Sequence, residues 1–230
     1  MIIREEQIRH IIKNRLIETL RKNVRAQTKR QSRSSSSDDG AVGSLAGIKF
    51  TSVPNKKAAQ LAMDEFKLWK NGTLKEGEKE AYPILKKYWD DLEGWPEGRW
   101  KPTETAWSAA FISYVMKKSG DAFYNSAAHS TYATKALQNR NKLVKDKKSL
   151  SGEQHVLFLK GEAEPEIGDV MFYVREGDIK SWMKGGGGQI KSHTDIFIGG
   201  GSGIGGNLSD SCTKSSAMKK HTAIIKKINI

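Results

Sequence analysis

The chain has 230 residues and a formal net charge of +13, which predicts attraction to polyanions such as nucleic acid, teichoic acids, anionic membrane surfaces or acidic proteins. Its length and apolar content allow one sizeable domain with an appendage, or two small domains. The single cysteine, Cys212, excludes an internal disulfide framework and a cysteine-based zinc cluster, and no apolar run is long enough for a transmembrane helix.

Residues 1–30 have the pattern of a basic amphipathic helix. Ile8, Ile12, Leu16 and Leu20 recur every four residues, and Arg and Lys occupy much of the remaining surface. Such a helix can dock on a partner protein, pack on its own domain or lie on a membrane. The segment lacks the uninterrupted apolar core of a secretory signal, so we expect synthesis in the cytoplasm without a signal peptide.

Residues 31–55 are rich in Ser and Gly and show no periodicity, which predicts a flexible linker. A helix joined to a domain by such a linker is typical of a tether or docking element. The folded domain is then expected to cover residues 56–230.

This domain is predicted to be α+β, because helical periodicity comes first and extended segments follow. Four helices are expected within residues 56–72, 76–94, 105–119 and 126–140, the last with Ser126 as its N-cap. Four strands are expected at residues 155–160, 168–174, 193–199 and 221–230.

Ser108 is the first candidate site residue, because it lies near the start of the third helix, in "TETAWSAAFISYVMKKSG" (103–120). Free backbone N–H groups and the helix dipole can stabilise an anion there, including the oxyanion of a tetrahedral intermediate. The alternative is an ordinary first-turn or capping serine.

His193 and Asp195 are two residues apart in a predicted strand, so their side chains should share one face. The pair suits a general base with its carboxylate, and a metal site lacks a third ligand at recognised spacing. The alternative is a partly buried structural histidine. Asn207 follows a glycine turn, where its amide can orient an imidazole or simply tolerate a left-handed φ.

Two glycine-rich stretches fail the tests for nucleotide binding. "GSGIGG" (201–206) has no βαβ context, and "MKGGGG" (183–188) lacks the Gly-Lys-Ser/Thr ending of a P-loop. No cofactor or metal is predicted, and Cys212 is expected to be a buried structural thiol.

The segments "YWDDLEG", "AWSAAFISYVMKKSG", "FYNSAAHSTYA", "PEIGDVMFY", "SHTDIFIG" and "IGGNLSDS" occur in an order that resembles a bacterial and phage family of domains of unknown function. That family is similar to the CHAP and NlpC-type peptidoglycan hydrolases, and the resemblance covers roughly residues 56–230. It implies a papain-like fold, with helices packed on a small antiparallel sheet.

The resemblance also implies roles for individual residues. Ser108 takes the place of the nucleophilic cysteine, His193 that of the base, and Asn207 that of the orienting residue, with Asp195 as a further partner of His193. Trp107 and His129 are expected to contact substrate. Serine in place of cysteine requires a strong local base, since a hydroxyl does not ionise near neutral pH.

The implied function is hydrolysis of peptidoglycan stem peptides by an amidase or endopeptidase. The N-terminal helix suits a phage tail, virion or injection-apparatus component, with that assembly and peptidoglycan as partners. The alternative is a catalytically inactive structural or binding module of the same fold. Nucleic acid binding is permitted by charge but supported by no motif.

Overall fold

The computed structural model describes residues 43–45, 47–92, 99–146 and 150–230. This part contains six α-helices and a seven-stranded antiparallel sheet, so the predicted α+β class is confirmed. The helix predicted over residues 1–30 lies outside the described residues. The helices are α1 Lys56–Leu68, α2 Ala81–Asp90, α3 Ser108–Lys118, α4 His129–Lys145, α5 Ile179–Lys184 and α6 Ala217–Lys220. The strands are β1 Thr51–Ser52, β2 Glu153–Leu159, β3 Val170–Val174, β4 Ser192–Gly199, β5 Ser202–Gly205, β6 Thr213–Ser215 and β7 Ala223–Asn229.

The last strand, β7, organises the sheet. It pairs with β2 along its whole length, from Glu153 opposite Asn229 to Leu159 opposite Ala223. Because a strand has only two edges, β1 and β3 share the other edge of β7, at its end and its beginning respectively. The sheet then continues through β4 and β5 to β6.

The two faces of the sheet are covered differently. Phe172 and Ile196 point to the main core, on which α1, α3 and α4 pack, and all three of these helices contact β4. Tyr173 and Phe197 point to the opposite face and form a smaller cluster with Ala217 of α6. Neighbouring residues of β4 therefore reach different environments, as the alternation of a strand requires.

The helix predicted over 126–140 begins at His129 instead, with Ala128 rather than Ser126 at the N-cap. Ser126 is held before the helix: its backbone N–H donates to Ser113 Oγ, and its own hydroxyl accepts from the Ala128 N–H. Ser113 also donates to the Ser126 carbonyl, so α3 fixes the chain just before α4. This arrangement makes His129 the first residue of α4.

The described residues from 43 to 55 belong to the domain, although a linker up to residue 55 was expected. Thr51 and Ser52 pair with β7, and Leu45 is buried against Leu143 in a second apolar cluster. Arg140, itself buried, donates to the Gly43 carbonyl oxygen at 2.6 Å. The domain therefore begins before residue 56.

Candidate active site

Ser108 and His129 form a hydrogen-bonded pair at the starts of two helices. Ser108 Oγ lies 2.7 Å from His129 Nε2, and these residues are the first of α3 and α4 respectively. A serine hydroxyl at this distance from an imidazole nitrogen has the geometry of a nucleophile beside its base. The resemblance assigned the base to His193 and gave His129 a place in the substrate groove, so the observed contact joins a different histidine to Ser108.

The start of α3 is set by Trp107, which is buried. Its ring stacks on Trp69 at a centroid distance of 4.6 Å, and its Nε1–H donates to Glu76 Oε2 at 2.6 Å. Trp107 was expected to contact substrate. In the structure its ring lies in the core, where it holds the helix start in place.

Three backbone N–H groups at the start of α3 lie before its ladder of hydrogen bonds. The first donor into the helical ladder is the Phe111 N–H, to the Trp107 carbonyl oxygen at 2.9 Å. The N–H groups of Ser108, Ala109 and Ala110 precede that ladder, as they do at any helix start. Trp107, at the N-cap, provides no side-chain cap for them. Such donors can stabilise an oxyanion formed near Ser108.

The other ring nitrogen of His129 meets two hydroxyl groups. His129 Nδ1 lies 2.8 Å from Thr194 Oγ1 and also contacts the Tyr132 hydroxyl. When Nε2 accepts the Ser108 proton, Nδ1 carries hydrogen and donates to these oxygens. Sequence reasoning missed both residues, although Tyr132 follows His129 by one helical turn and was therefore within reach of such an argument.

His129 is buried, and this lowers its pKa well below the ordinary histidine value. Electrostatic interactions with His193 and Arg175 also lower the pKa of His129. The imidazole is therefore neutral near pH 7, which is the form that can accept a proton from Ser108.

His193 pairs with Asp195, with His193 Nε2 3.1 Å from Asp195 Oδ1, so the prediction that these side chains share a face is confirmed. Because neighbouring strand residues point to opposite faces, Thr194 meets His129 while His193 turns towards Asp195 and Tyr173. The two histidine rings still lie close, with centroids 5.2 Å apart. His193 is thus a neighbour of the Ser108–His129 pair.

Asp195 is the acceptor at the centre of this second polar cluster. It receives hydrogen bonds from Tyr173, at 2.6 Å, and from Ser215. Burial acts to raise the pKa of Asp195, but the hydrogen bond and charge of His193, with those two hydroxyls, hold the pKa below its ordinary value. Asp195 is therefore ionised near pH 7 and its charge is directed at His193.

Asn207 lies in the turn after β5 with a φ of 55°, the left-handed conformation that asparagine tolerates. Among the described residues, no hydrogen bond joins its amide to His193. The orienting role predicted for Asn207 therefore remains a prediction, and a turn-forming role is observed.

Cys212 is fully buried, as predicted, and burial raises the pKa of its thiol well above the ordinary value. Glu65 and Asp195 add negative charge that acts in the same direction. Within the described ranges, no three His, Cys, Asp or Glu side chains form a group that could hold a metal ion. No helix in those ranges is long and apolar enough to cross a bilayer.

Comparison with known proteins gives one family. The model of the family described as "Uncharacterized protein conserved in bacteria (DUF2272)" matches residues 90–224. The matched region contains α3, α4 and β4, and with them Ser108, His129 and the His193–Asp195 pair. No curated protein matches the chain.

Proposed function

The chain belongs to the DUF2272 family, and we propose that it is a hydrolase of amide bonds in peptidoglycan stem peptides, with Ser108 as nucleophile and His129 as general base. One observation carries the proposal: the 2.7 Å contact between Ser108 Oγ and His129 Nε2 at the start of α3. Such proximity provides both the nucleophile and the acceptor for its proton.

The proposed reaction has two steps. Ser108 Oγ attacks the substrate carbonyl carbon while its proton passes to His129 Nε2, and the N–H groups at the start of α3 stabilise the oxyanion. His129 then protonates the departing amine, and the C–N bond breaks to leave an acyl-serine. Water attacks this ester with His129 again as base, which releases the acid and restores Ser108.

The substrate class is supported by the sequence resemblance to CHAP and NlpC-type hydrolases and by the net charge of +13, which favours an anionic cell wall. A papain-like fold is part of the same proposal. It fits a helix that begins at the candidate nucleophile and packs on an antiparallel sheet. We also propose that the chain is a component of a phage tail, virion or injection apparatus, to which residues 1–30 attach it.

A second candidate is a binding or structural module, and one observation favours it. The partners of His129 Nδ1 are the hydroxyls of Thr194 and Tyr132, whereas a carboxylate there would stabilise the imidazolium formed during catalysis. The nearby carboxylate of Asp195 is directed at His193.

Incubation with isolated sacculi tests the proposal. We expect the wild-type chain to release stem peptides with new free amino groups, and Ser108→Ala to lose this release. Ser181→Ala is the matched control, because Ser181 is an exposed serine in the first turn of α5. Absence of release by the wild type rules out this substrate, and release by Ser108→Ala rules out this nucleophile.

A further inference from the structure

Arg175 directly follows β3, at the end of the sheet where the candidate site lies. Tyr173 of β3 pairs with His193 of β4, and one step further out the Arg175 N–H donates to the Lys191 carbonyl oxygen at 2.8 Å. The Tyr173 ring stacks on His193 at a centroid distance of 6.1 Å, and the His193 ring is 5.2 Å from that of His129. Because a strand rises about 3.4 Å per residue, Arg175 lies about 7 Å beyond Tyr173, at the margin of the site.

The charge of Arg175 acts on the imidazole that contacts Ser108. Burial makes the largest contribution to the lowered pKa of His129, and electrostatic interactions with His193 and then with Arg175 lower it further. Strand register and electrostatics therefore agree that the Arg175 guanidinium lies close to the Ser108–His129 pair.

Arg175 also differs from its cationic neighbours in having no partner. The Lys191 ammonium is paired with Glu176. The Arg175 side chain is exposed, and among the residues that the structure describes it forms no hydrogen bond or ion pair. The other two arginines in those ranges lie elsewhere: Arg140 is buried in an ion pair, and Arg99 precedes a tryptophan that packs on α2.

A guanidinium group recognises a particular chemical partner. Its N–H donors form a rigid planar fork, which matches the two oxygens of a carboxylate better than an ammonium group does. Peptidoglycan stem peptides carry free carboxylates close to their amide bonds. An unpaired arginine beside Ser108 therefore suits an acidic peptide.

We propose that Arg175 binds a free carboxylate of the peptide substrate, close to the bond that Ser108 attacks. The assignment of this peptide as a substrate rests on the proposed function, but its binding can be measured without hydrolysis. The contact orients the peptide and selects against peptides in which that carboxylate is amidated. The bound carboxylate also offsets the positive charge of Arg175, which favours protonation of His129 during the attack.

Calorimetric titration of the full-length Ser108→Ala variant tests this proposal, because loss of the hydroxyl prevents turnover during the measurement. The ligands are a soluble stem tetrapeptide with all carboxylates free and a series in which one carboxylate at a time is converted to the amide. We expect one amide to bind roughly fivefold to tenfold more weakly than the free acid, as the loss of a charge-assisted hydrogen bond requires. Absence of binding, or equal binding by every peptide, overturns the proposal.

Addition of Arg175→Gln to this variant locates the contact. Arg175 is exposed, so the fold is expected to persist, and the free acid and the discriminated amide should then bind equally. Arg175→Lys keeps the charge without the planar fork and should retain part of the difference. The matched control is Arg99→Gln, which removes the same charge from an exposed position and should keep the full difference. Discrimination that persists in Arg175→Gln, or is lost equally in Arg99→Gln, overturns the assignment to Arg175.

Release of stem peptides from sacculi separates this inference from the proposed function. Discrimination through Arg175 without release by the wild type would reject hydrolysis and leave an acidic-peptide site. Release by the wild type without discrimination through Arg175 would keep the hydrolase and reject the carboxylate contact.

Discussion

Ser108 and Thr194 lie on opposite sides of one imidazole ring. Ser108 Oγ is 2.7 Å from His129 Nε2, and Thr194 Oγ1 is 2.8 Å from His129 Nδ1. One residue comes from α3 and the other from β4, so the packing of helix on sheet sets the orientation of the ring. A hydroxyl that accepts from Nδ1 leaves Nε2 free to accept the Ser108 proton.

Thr194→Val tests this orientation, because valine keeps the branched shape and removes the hydroxyl. We expect kcat for stem-peptide release to fall roughly tenfold, equivalent to about 1.4 kcal/mol, with KM unchanged. Steady-state kinetics measure both constants. The control is Thr134→Val, which changes a threonine on α4 that binds the Gly188 N–H instead. An unchanged kcat in Thr194→Val contradicts a positioning role for Thr194.

Replacement of His129 is expected to lower kcat much more than replacement of His193. His129→Gln removes the base in contact with Ser108 and should lower kcat by roughly 10² to 10⁴. His193→Gln changes the hydrogen-bond partner of Asp195, leaves the Ser108–His129 contact in place, and should cost roughly tenfold or less. Rates of amine release by both variants make the comparison, after circular dichroism has verified their folding. A larger loss of kcat in His193→Gln than in His129→Gln would show that His193 is the base, as the sequence resemblance implied.

Stability should depend on pH through His129. Its pKa is about 6.5 when unfolded and is well below that value when folded, so the folded state binds fewer protons on acidification. The unfolding free energy contributed by His129 is therefore intact above about pH 6.5 and is lost as the pH falls below it, by up to about 1.4 kcal/mol per pH unit.

Urea unfolding between pH 5 and pH 8 measures this dependence. His129→Gln should flatten the acidic part of the curve relative to the wild type, and the two curves should run parallel above pH 7. Parallel curves over the whole range would show that His129 keeps its pKa on unfolding.

The start of the domain is testable by truncation. A chain that begins at residue 56 loses β1, the burial of Leu45 and Phe50, and the Gly43 carbonyl that accepts from Arg140. We expect it to be less stable by about 3 to 5 kcal/mol than a chain that begins at residue 43, because each large apolar side chain contributes roughly 1.5–3 kcal/mol. Thermal unfolding compares the two. Equal midpoints would show that residues 43–55 contribute nothing to the fold.

Much of the fold could be predicted from sequence periodicity. The change from helical to alternating patterns gave the α+β class, and the spacing of His193 and Asp195 correctly placed them on one face. The short strands β1, β5 and β6 were missed because pairing with neighbours, rather than hydrophobic alternation, makes them strands. Strand β5 shows no hydrophobic alternation because it contains glycines, and a side chain at Gly205 would collide with Asp195 and His193.

Only part of the candidate site could be predicted from the sequence, for a related reason. Ser108 could be identified as a candidate because the start of its helix can be predicted from the sequence. Its contact with His129 depends on the packing of both α3 and α4 on β4, and on Ser113 holding Ser126 before α4, which are tertiary effects. A histidine predicted inside a helix gave no sign that it would be the first residue of that helix.

Labelling with a fluorophosphonate probe tests most directly whether Ser108 is an activated nucleophile. We expect one label per chain on Ser108 in the wild type and in Ser181→Ala, none on Ser108→Ala, and much slower labelling of His129→Gln. Mass spectrometry of the digested protein locates the label. A folded wild-type chain that stays unlabelled at Ser108, or that labels as fast without His129, would contradict the Ser108–His129 mechanism.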